Sequence, residues 1–363
     1  MTKEPFIQPS FVGARFDAHT LPLSAAKDLA AYEELVLELA KHLFREKQQD
    51  RVRVPKGFAQ GFSLHLERID DGSAKPAIVA MMMGTLFHNL PPEIPEAKEL
   101  INQVIATEAG QAFPSAFPKG LYSYFNRIGR SLDQGESIEW LPDSPTNKTV
   151  LTPEKRKRLV LAHRENYEAE VDVIGLIEAL DAKKRTGVLR TLDKEAISFV
   201  FDDPFFADLK DALGNQAIHA RVMGVGVFDV NDRLGSIIEI DQLECLPHYQ
   251  LVSAIDALAS LEDGWLEGMG VAPGRLNLDL LADEVVAHFP DEMEYPSVAP
   301  TEEGNVIFEW MRPQARIELE VDFKSRTLEL YATNLILNEF VEGSFDREKL
   351  DEAFARVSTL LQS

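Results

Sequence analysis

Asp322-Phe323-Lys324 sets a carboxylate and an ammonium two residues apart, and Asp291 stands upstream in Pro290-Asp291. Paired carboxylates with a lysine are the groups that hold a divalent metal and activate water for phosphodiester cleavage. Asp291, Asp322 and Lys324 are therefore the candidate catalytic set. A simpler reading competes with it. In Ile317-Glu318-Leu319-Glu320-Val321-Asp322-Phe323-Lys324 apolar and charged residues alternate, so the charges fall on one face of a strand and the aliphatics on the other. That is the pattern of an antiparallel strand with one solvated face, and it is the reading we favour.

The remaining reactive residues form no constellation. The eight histidines are scattered, none three or four residues from another, so helix-borne metal pairs are absent. No Gly-x-Ser-x-Gly elbow occurs. Cys245, the only cysteine, rules out an intrachain disulfide and a Cys-based zinc site; among apolar and acidic neighbours it reads as a buried structural thiol with a raised pKa. Gly224-Val225-Gly226 falls inside a strand and not at a strand-to-helix turn, which favours a bend in a small barrel over dinucleotide binding. No cofactor is implied.

Two basic groups run against the general acidity. One is Arg45, Lys47, Arg51, Arg53 and Lys56, read as a loop; the other is Lys155, Arg156, Lys157 and Arg158, with Lys183, Lys184 and Arg185 further on. The second group could track phosphates on a barrel. Stacking aromatics are few there, however, and Phe199 and Phe201 share a face that reads as core. Internal charge balance is the preferred explanation.

These residues need elements to position them. Leu29, Tyr32, Leu35, Val36, Leu39 and Leu43 follow the 3.6 period of a long helix from Ser24, its expected cap. A strand from Phe62, a second over Ala77 to Phe87, and helices near Pro95 to Thr107 and Leu121 to Leu132 complete an N-terminal α+β domain, 1–147, ending at the linker Leu141 to Asn147. Strands over Val171 to Leu180, Thr186 to Thr191, Ala196 to Phe201, His219 to Val230 and Leu234 to Leu243, with a helix from Phe205 to Leu213, describe a small barrel of oligonucleotide-binding or SH3-like type in 148–247. In 248–363, helices near Tyr249 to Ser260 and Leu276 to Phe289 precede a meander of strands over Val306 to Met311, Ala315 to Phe323 and Thr327 to Ala332; a last helix starts at Asp346. The fold class is multi-domain α+β.

Charge is concentrated at the C-terminal end. Of the net −23 carried by 363 residues, Leu261 to Ser363 holds 22 acidic against eight basic residues. Such a surface repels nucleic-acid phosphates and anionic lipid and attracts basic proteins. The opening Met-Thr-Lys-Glu-Pro-Phe has no apolar signal region, and the longest uncharged apolar run, Pro76 to Phe87, falls well short of the ~20 residues of a membrane span. A cytoplasmic protein without membrane attachment is expected.

Pro296 to Trp310 resembles a meander opening of uncharacterised bacterial proteins encoded near mobile elements and toxin or defence loci. The resemblance implies a bacterial intracellular setting and carries no catalytic residue. The favoured function is a non-catalytic adaptor or antitoxin-like regulator that binds a basic protein partner through Glu302, Glu303, Glu309, Glu318, Glu320 and Asp322, with Trp310 as anchor where exposed. The alternatives are a metal-dependent nuclease of restriction-nuclease-like type and nucleic-acid binding through the barrel. The sequence leaves homo-oligomerisation open.

Overall fold

The computed structural model describes residues 5–18, 20–48, 53–55, 58, 61–70, 74–82, 90–140, 149–334 and 339–362. It is a mixed α+β protein with several sheets. Contacts divide the chain into two units, Met1–Val171 with Gly224–Glu239 and Asp172–Met223 with Ile240–Ser363. This division shares the middle strands between the units, where the sequence reading groups 148–247 as one module.

The first unit contains β1 (Ser10–Val12), α1 (Leu23–Lys47), β2 (Phe62–Asp70), β3 (Lys75–Met82), α2 (Glu93–Ala106), β4 (Ser137–Glu139), β5 (Val150–Leu151) and α3 (Pro153–Leu161). The expected apolar stripe is the buried face of α1, where Tyr32, Leu35, Val36, Leu39 and Leu43 join a core with Ile94, Ile101 and Ile105 of α2. Tyr32 stacks on Trp140 at 4.6 Å between ring centroids. Ser24 is not the cap: the helix starts a residue earlier, after Pro22, without a side-chain cap. Nor do Arg45 and Lys47 belong to a loop. They extend α1 by a further turn, and Lys47 pairs with Glu93 at 3.8 Å and with Glu96.

The expected helix over Leu121 to Leu132 is instead a 3-10 segment, Lys119–Asn126, followed by turns. Gly129, at φ +76°, takes a left-handed conformation that an α-helix cannot propagate. The end of the expected second strand, to Phe87, lies outside the described residues, as do the linker Leu141 to Asn147 and Arg51, Lys56, His19 and His88.

Five strands follow, β6 (Asn166–Asp181), β7 (Thr186–Thr191), β8 (Ala196–Val200), β9 (Ile218–Asp229) and β10 (Leu234–Pro247), with α4 (Phe206–Ala212) between β8 and β9. They close into a ring in the order β10, β8, β7, β6, β9. Its glycines permit close approach. A Cβ on Gly226 would stand 2.5 Å from Leu234 and Val171 side chains, and one on Gly175 2.2 Å from the Arg190 carbonyl oxygen. At the expected Asn231-Asp232 turn, Asp229 accepts the backbone N–H of Asn231 at 2.8 Å and of Arg233 at 3.0 Å.

The second unit continues with α5 (Tyr249–Ala257), α6 (Arg275–His288), β11 (Ser297–Pro300), β12 (Val306–Met311), β13 (Ala315–Asp322), β14 (Thr327–Asn334), β15 (Glu339–Asp346) and α7 (Leu350–Gln362). The strands make an antiparallel sheet in sequence order. Phe308, Trp310, Ile317, Leu319, Val321, Leu328 and Leu330 bury one face against Leu278, Leu281 and Val285 of α6 and Phe354 and Val357 of α7. A 3-10 turn, Arg347–Lys349, intervenes between Asp346 and α7, so the last helix starts later than expected. Among the described residues no helix is long and apolar enough to cross a membrane.

One buried polar group in the first unit makes its stability pH-dependent. Asp28 is 2 % exposed and accepts a hydrogen bond from the Ser131 hydroxyl at 2.7 Å. Burial pushes its carboxyl up from 3.8 to about 6, opposed by the Ser131 hydrogen bond and the nearby Arg156 charge. The folded carboxyl thus holds its proton to higher pH than the unfolded one. Its stabilising contribution is complete below about pH 4 and is lost as pH rises through about 6, a change of roughly 3 kcal/mol. Asp28→Asn keeps an acceptor for Ser131 and removes the titration. In denaturant melts followed by hydrogen exchange in α1, the stability difference between variant and wild type should grow in the variant's favour from pH 4 to pH 7 by about that amount; a difference independent of pH would contradict it.

Candidate functional site

The strict alternation of β13 has a direct structural consequence. Ile317, Leu319 and Val321 enter the core, while Arg316, Glu318, Glu320 and Asp322 face the side that the helices leave open. Strand register then assembles the open face into rows. Glu309 lies opposite Glu318, Glu318 opposite Tyr331, and Tyr331 opposite Glu342. In the next row Ile307 faces Glu320, Glu320 faces Glu329, and Glu329 faces Ser344. On the other side Met311, Arg316, Thr333 and Phe340 line up. Adjacent strands lie about 4.8 Å apart, so five glutamates share a small area.

Like charges directly opposite one another destabilise a sheet. The Glu309–Glu318 pair is relieved by Arg316, whose guanidinium reaches Glu309 at 2.6 Å and also Glu318. Among the described residues Glu320–Glu329 has no such counter-ion. Glu320 accepts from the Asn305 amide at 2.9 Å and Glu329 from the Ser344 hydroxyl at 2.9 Å, both neutral donors. Tyr331 stands among these groups, and its phenol is pushed up by partial desolvation and by the charges of Glu329, Glu320 and Glu342. It stacks on Phe340 at 6.3 Å, and Phe340 is 56 % exposed.

The expected partner residues divide accordingly. Glu309, Glu318 and Glu320 come together on the open face, and Asp322 sits at its end. Glu302 and Glu303 are exposed in the turn between β11 and β12. Trp310 lies on the opposite face: it is 3 % exposed, and its indole N–H donates to the Glu294 carbonyl at 2.8 Å. The aromatics of the face are the half-buried Tyr331 and the exposed Phe340, neither of them among the residues expected from the sequence. Tyr331 is readable from the alternation of β14, but Phe340 belongs to a strand that was not anticipated.

The candidate catalytic residues have structural partners. The Asp322 carboxylate accepts the backbone N–H groups of Lys324 at 2.8 Å and Ser325 at 2.9 Å, which shapes the hairpin turn and holds its pKa below the usual carboxylate range. Asp291 stands 3.5 Å from the imidazole of His248. That ring is buried and also meets the Tyr295 hydroxyl at 3.2 Å; burial pushes its pKa down. Among the described residues no group of three or more His, Cys, Asp or Glu is arranged to hold a metal ion.

The basic groups are drawn into the protein's own contacts. Lys155 pairs with Glu108 at 2.9 Å, Lys157 with Asp232 at 2.5 Å, and Arg158 donates to the Thr107 carbonyl. Arg156 is buried, donates to the carbonyls of Asn126 and Glu168, and has its pKa pushed down to about 10 by desolvation. In the β6–β7 turn, Lys184 lies 3.8 Å from Asp181, the Lys183 backbone N–H donates to Asp181, and Arg185 pairs with Asp203 over the rings of Phe201 and Phe206. Cys245 corrects the sequence reading: it is exposed, not buried. Its pKa is raised by partial desolvation and by Asp208 and Asp211.

Comparison with family models, curated proteins and solved structures finds no match.

Arg316→Met should leave Glu309 and Glu318 in unrelieved opposition. We expect a loss of about 1 kcal/mol in low salt that shrinks to a few tenths in about 1 M sodium chloride, measured by urea denaturation. A loss insensitive to salt would mean that packing, and not charge, fixes Arg316.

Proposed function

We propose that this chain is a non-catalytic interaction or regulatory protein, of adaptor or antitoxin-like kind, that binds a basic protein through the open face of its C-terminal sheet. The observation that carries the reading is the Glu320–Glu329 pair, a cross-strand like-charge contact without a counter-ion among the described residues, flanked by Glu318 and Glu342. A fold optimised for stability alone has no use for that pair. A cationic partner would relieve it, and long-range attraction would speed the encounter. The bacterial defence setting rests only on the resemblance at Pro296 to Trp310.

We further read the five-stranded ring as a small barrel of oligonucleotide-binding type and not of SH3-like type. Its first strand, β6, lies between the second and the fourth, and α4 joins the third to the fourth. Nucleic acid is the less favoured ligand. The outward residues of β7 and β8 are Thr186, Val188, Arg190, Ala196, Ser198 and Val200, without an aromatic platform, and Arg190 is paired with Glu178 at 2.7 Å. The nuclease alternative has less support still, since the Asp322 carboxylate is engaged in a turn.

Glu320→Lys, Glu329→Lys and Glu342→Lys combined should abolish retention, on immobilised protein, of those host proteins that wild type holds at low salt and releases at about 0.5 M salt. Equal retention by the triple variant would refute the reading. So would magnesium-dependent nucleic-acid cleavage that disappears in Asp322→Ala.

A further inference from the structure

The sheet that carries the acidic face has two unlike edges. β11 is four residues long and is bracketed by Pro296 and Pro300, two residues that cannot donate a backbone hydrogen bond to an added strand. β15 is eight residues long, contains no proline, and among the described residues pairs only with β14. Its far side therefore offers the N–H and C=O groups of alternate residues. Phe340, Glu342, Ser344 and Asp346 are exposed, and Val341, Gly343 and Phe345 are half-buried. The end of the strand is fixed, because Arg347 is buried, pairs with Glu284 of α6 and donates its backbone N–H to the Arg326 carbonyl at 3.0 Å.

We infer that the basic partner adds an extended segment to β15 as a sixth strand, with basic side chains over the acidic face alternating with apolar ones on the helix side. This deepens the proposed function and rests on it. The choice of occupant follows from charge complementarity along the rows. A sixth strand continues the row Glu309, Glu318, Tyr331, Glu342 on one face, where a cation meets Glu342 and the aromatic Tyr331–Phe340 pair. On the other face it lies beside Val341 and Phe345, which already pack on the core and have surface left to cover. A second copy of this chain is disfavoured as occupant. β15 carries the exposed Glu342 and Asp346 and no cation, so two such strands would meet with acid against acid. Main-chain hydrogen bonds supply affinity in this mode and alternate side chains supply specificity.

The test uses the full chain and two synthetic probes. One is a capped hexapeptide of alternating arginine and valine; the other has the same sequence with every backbone amide N-methylated, which keeps the charge and removes the donors. Hydrogen exchange should show the first probe protecting residues 340–346, and its affinity should exceed that of the methylated probe by about tenfold or more. Equal affinity of the two probes without protection of β15 would overturn strand addition while leaving the acidic-face reading intact. Binding of neither probe, or binding unchanged in Glu320→Lys/Glu329→Lys, would overturn both. Sedimentation of the protein alone as a dimer with β15 already protected would show a second copy on the edge and overturn the choice of occupant.

Discussion

A sheet covered by helices on one side must satisfy two surfaces with one chain, and the two-residue period of the strand is the only means of doing so. In β13 the period is unbroken from Arg316 to Asp322, and everything distinctive about the second unit follows from it. The aliphatic set meets α6 and α7, which fixes the register. Once the register is fixed, the positions of the glutamates are no longer free. A slip of one residue would put Glu318 and Glu320 into the core, at a desolvation penalty far larger than any repulsion on the open face. The buried aliphatics thus hold like charges opposite one another.

The middle strands obey a different constraint. Their strands approach closely, and glycines at 175 and 226 mark places where a Cβ would collide with a neighbouring strand's backbone or side chains. The cations nearby serve folding in the same sense. Arg156 is buried among the carbonyls of Asn126 and Glu168, and Lys157 reaches Asp232, which also accepts from the Tyr167 hydroxyl at 2.5 Å. A positive stretch in a sequence is evidence of a phosphate-binding surface only when its charges remain in solvent. Here Arg156 of α3 is buried, and Lys155, Lys157 and Arg158 are half-buried in contacts with Glu108, Asp232 and the Thr107 carbonyl.

Local periodicity made much of this legible, and long-range pairing hid the rest. The bounds of β12 and β7 and the start of β14 follow from alternation between turn residues, as does the solvated face of β13; β14 runs two residues past its expected end at Ala332. β15 is hidden in the sequence because Glu342-Gly343-Ser344 interrupts its apolar pattern and because its burial comes from β14 and α7 on one side only. Cys245 reads as buried for a related reason: Leu243 and Leu246 frame it as core, yet the tail of β10 is exposed at Glu244, Cys245 and Pro247. The 3-10 segment at Lys119–Asn126 looked α-helical by spacing, and only the left-handed backbone at Gly129 reveals why no longer helix forms. The partners of Arg156 and Asp28 lie far away in sequence, where no window of residues can disclose them.

The two halves of the site also explain one another. An open edge strand invites indiscriminate pairing, and natural sheets blunt such edges with charge, proline or short length. β11 has proline and brevity, while β15 has only its acids and those of the rows behind it. Charge is the one protection that a partner of opposite sign removes upon arrival, whereas proline blocks every partner alike. On the proposed reading, an edge guarded by carboxylates alone disfavours its own copies and acidic strands and admits a basic one. The repulsion between Glu320 and Glu329 in the free protein works in the same direction, because it disappears from the balance once a cation lies between them.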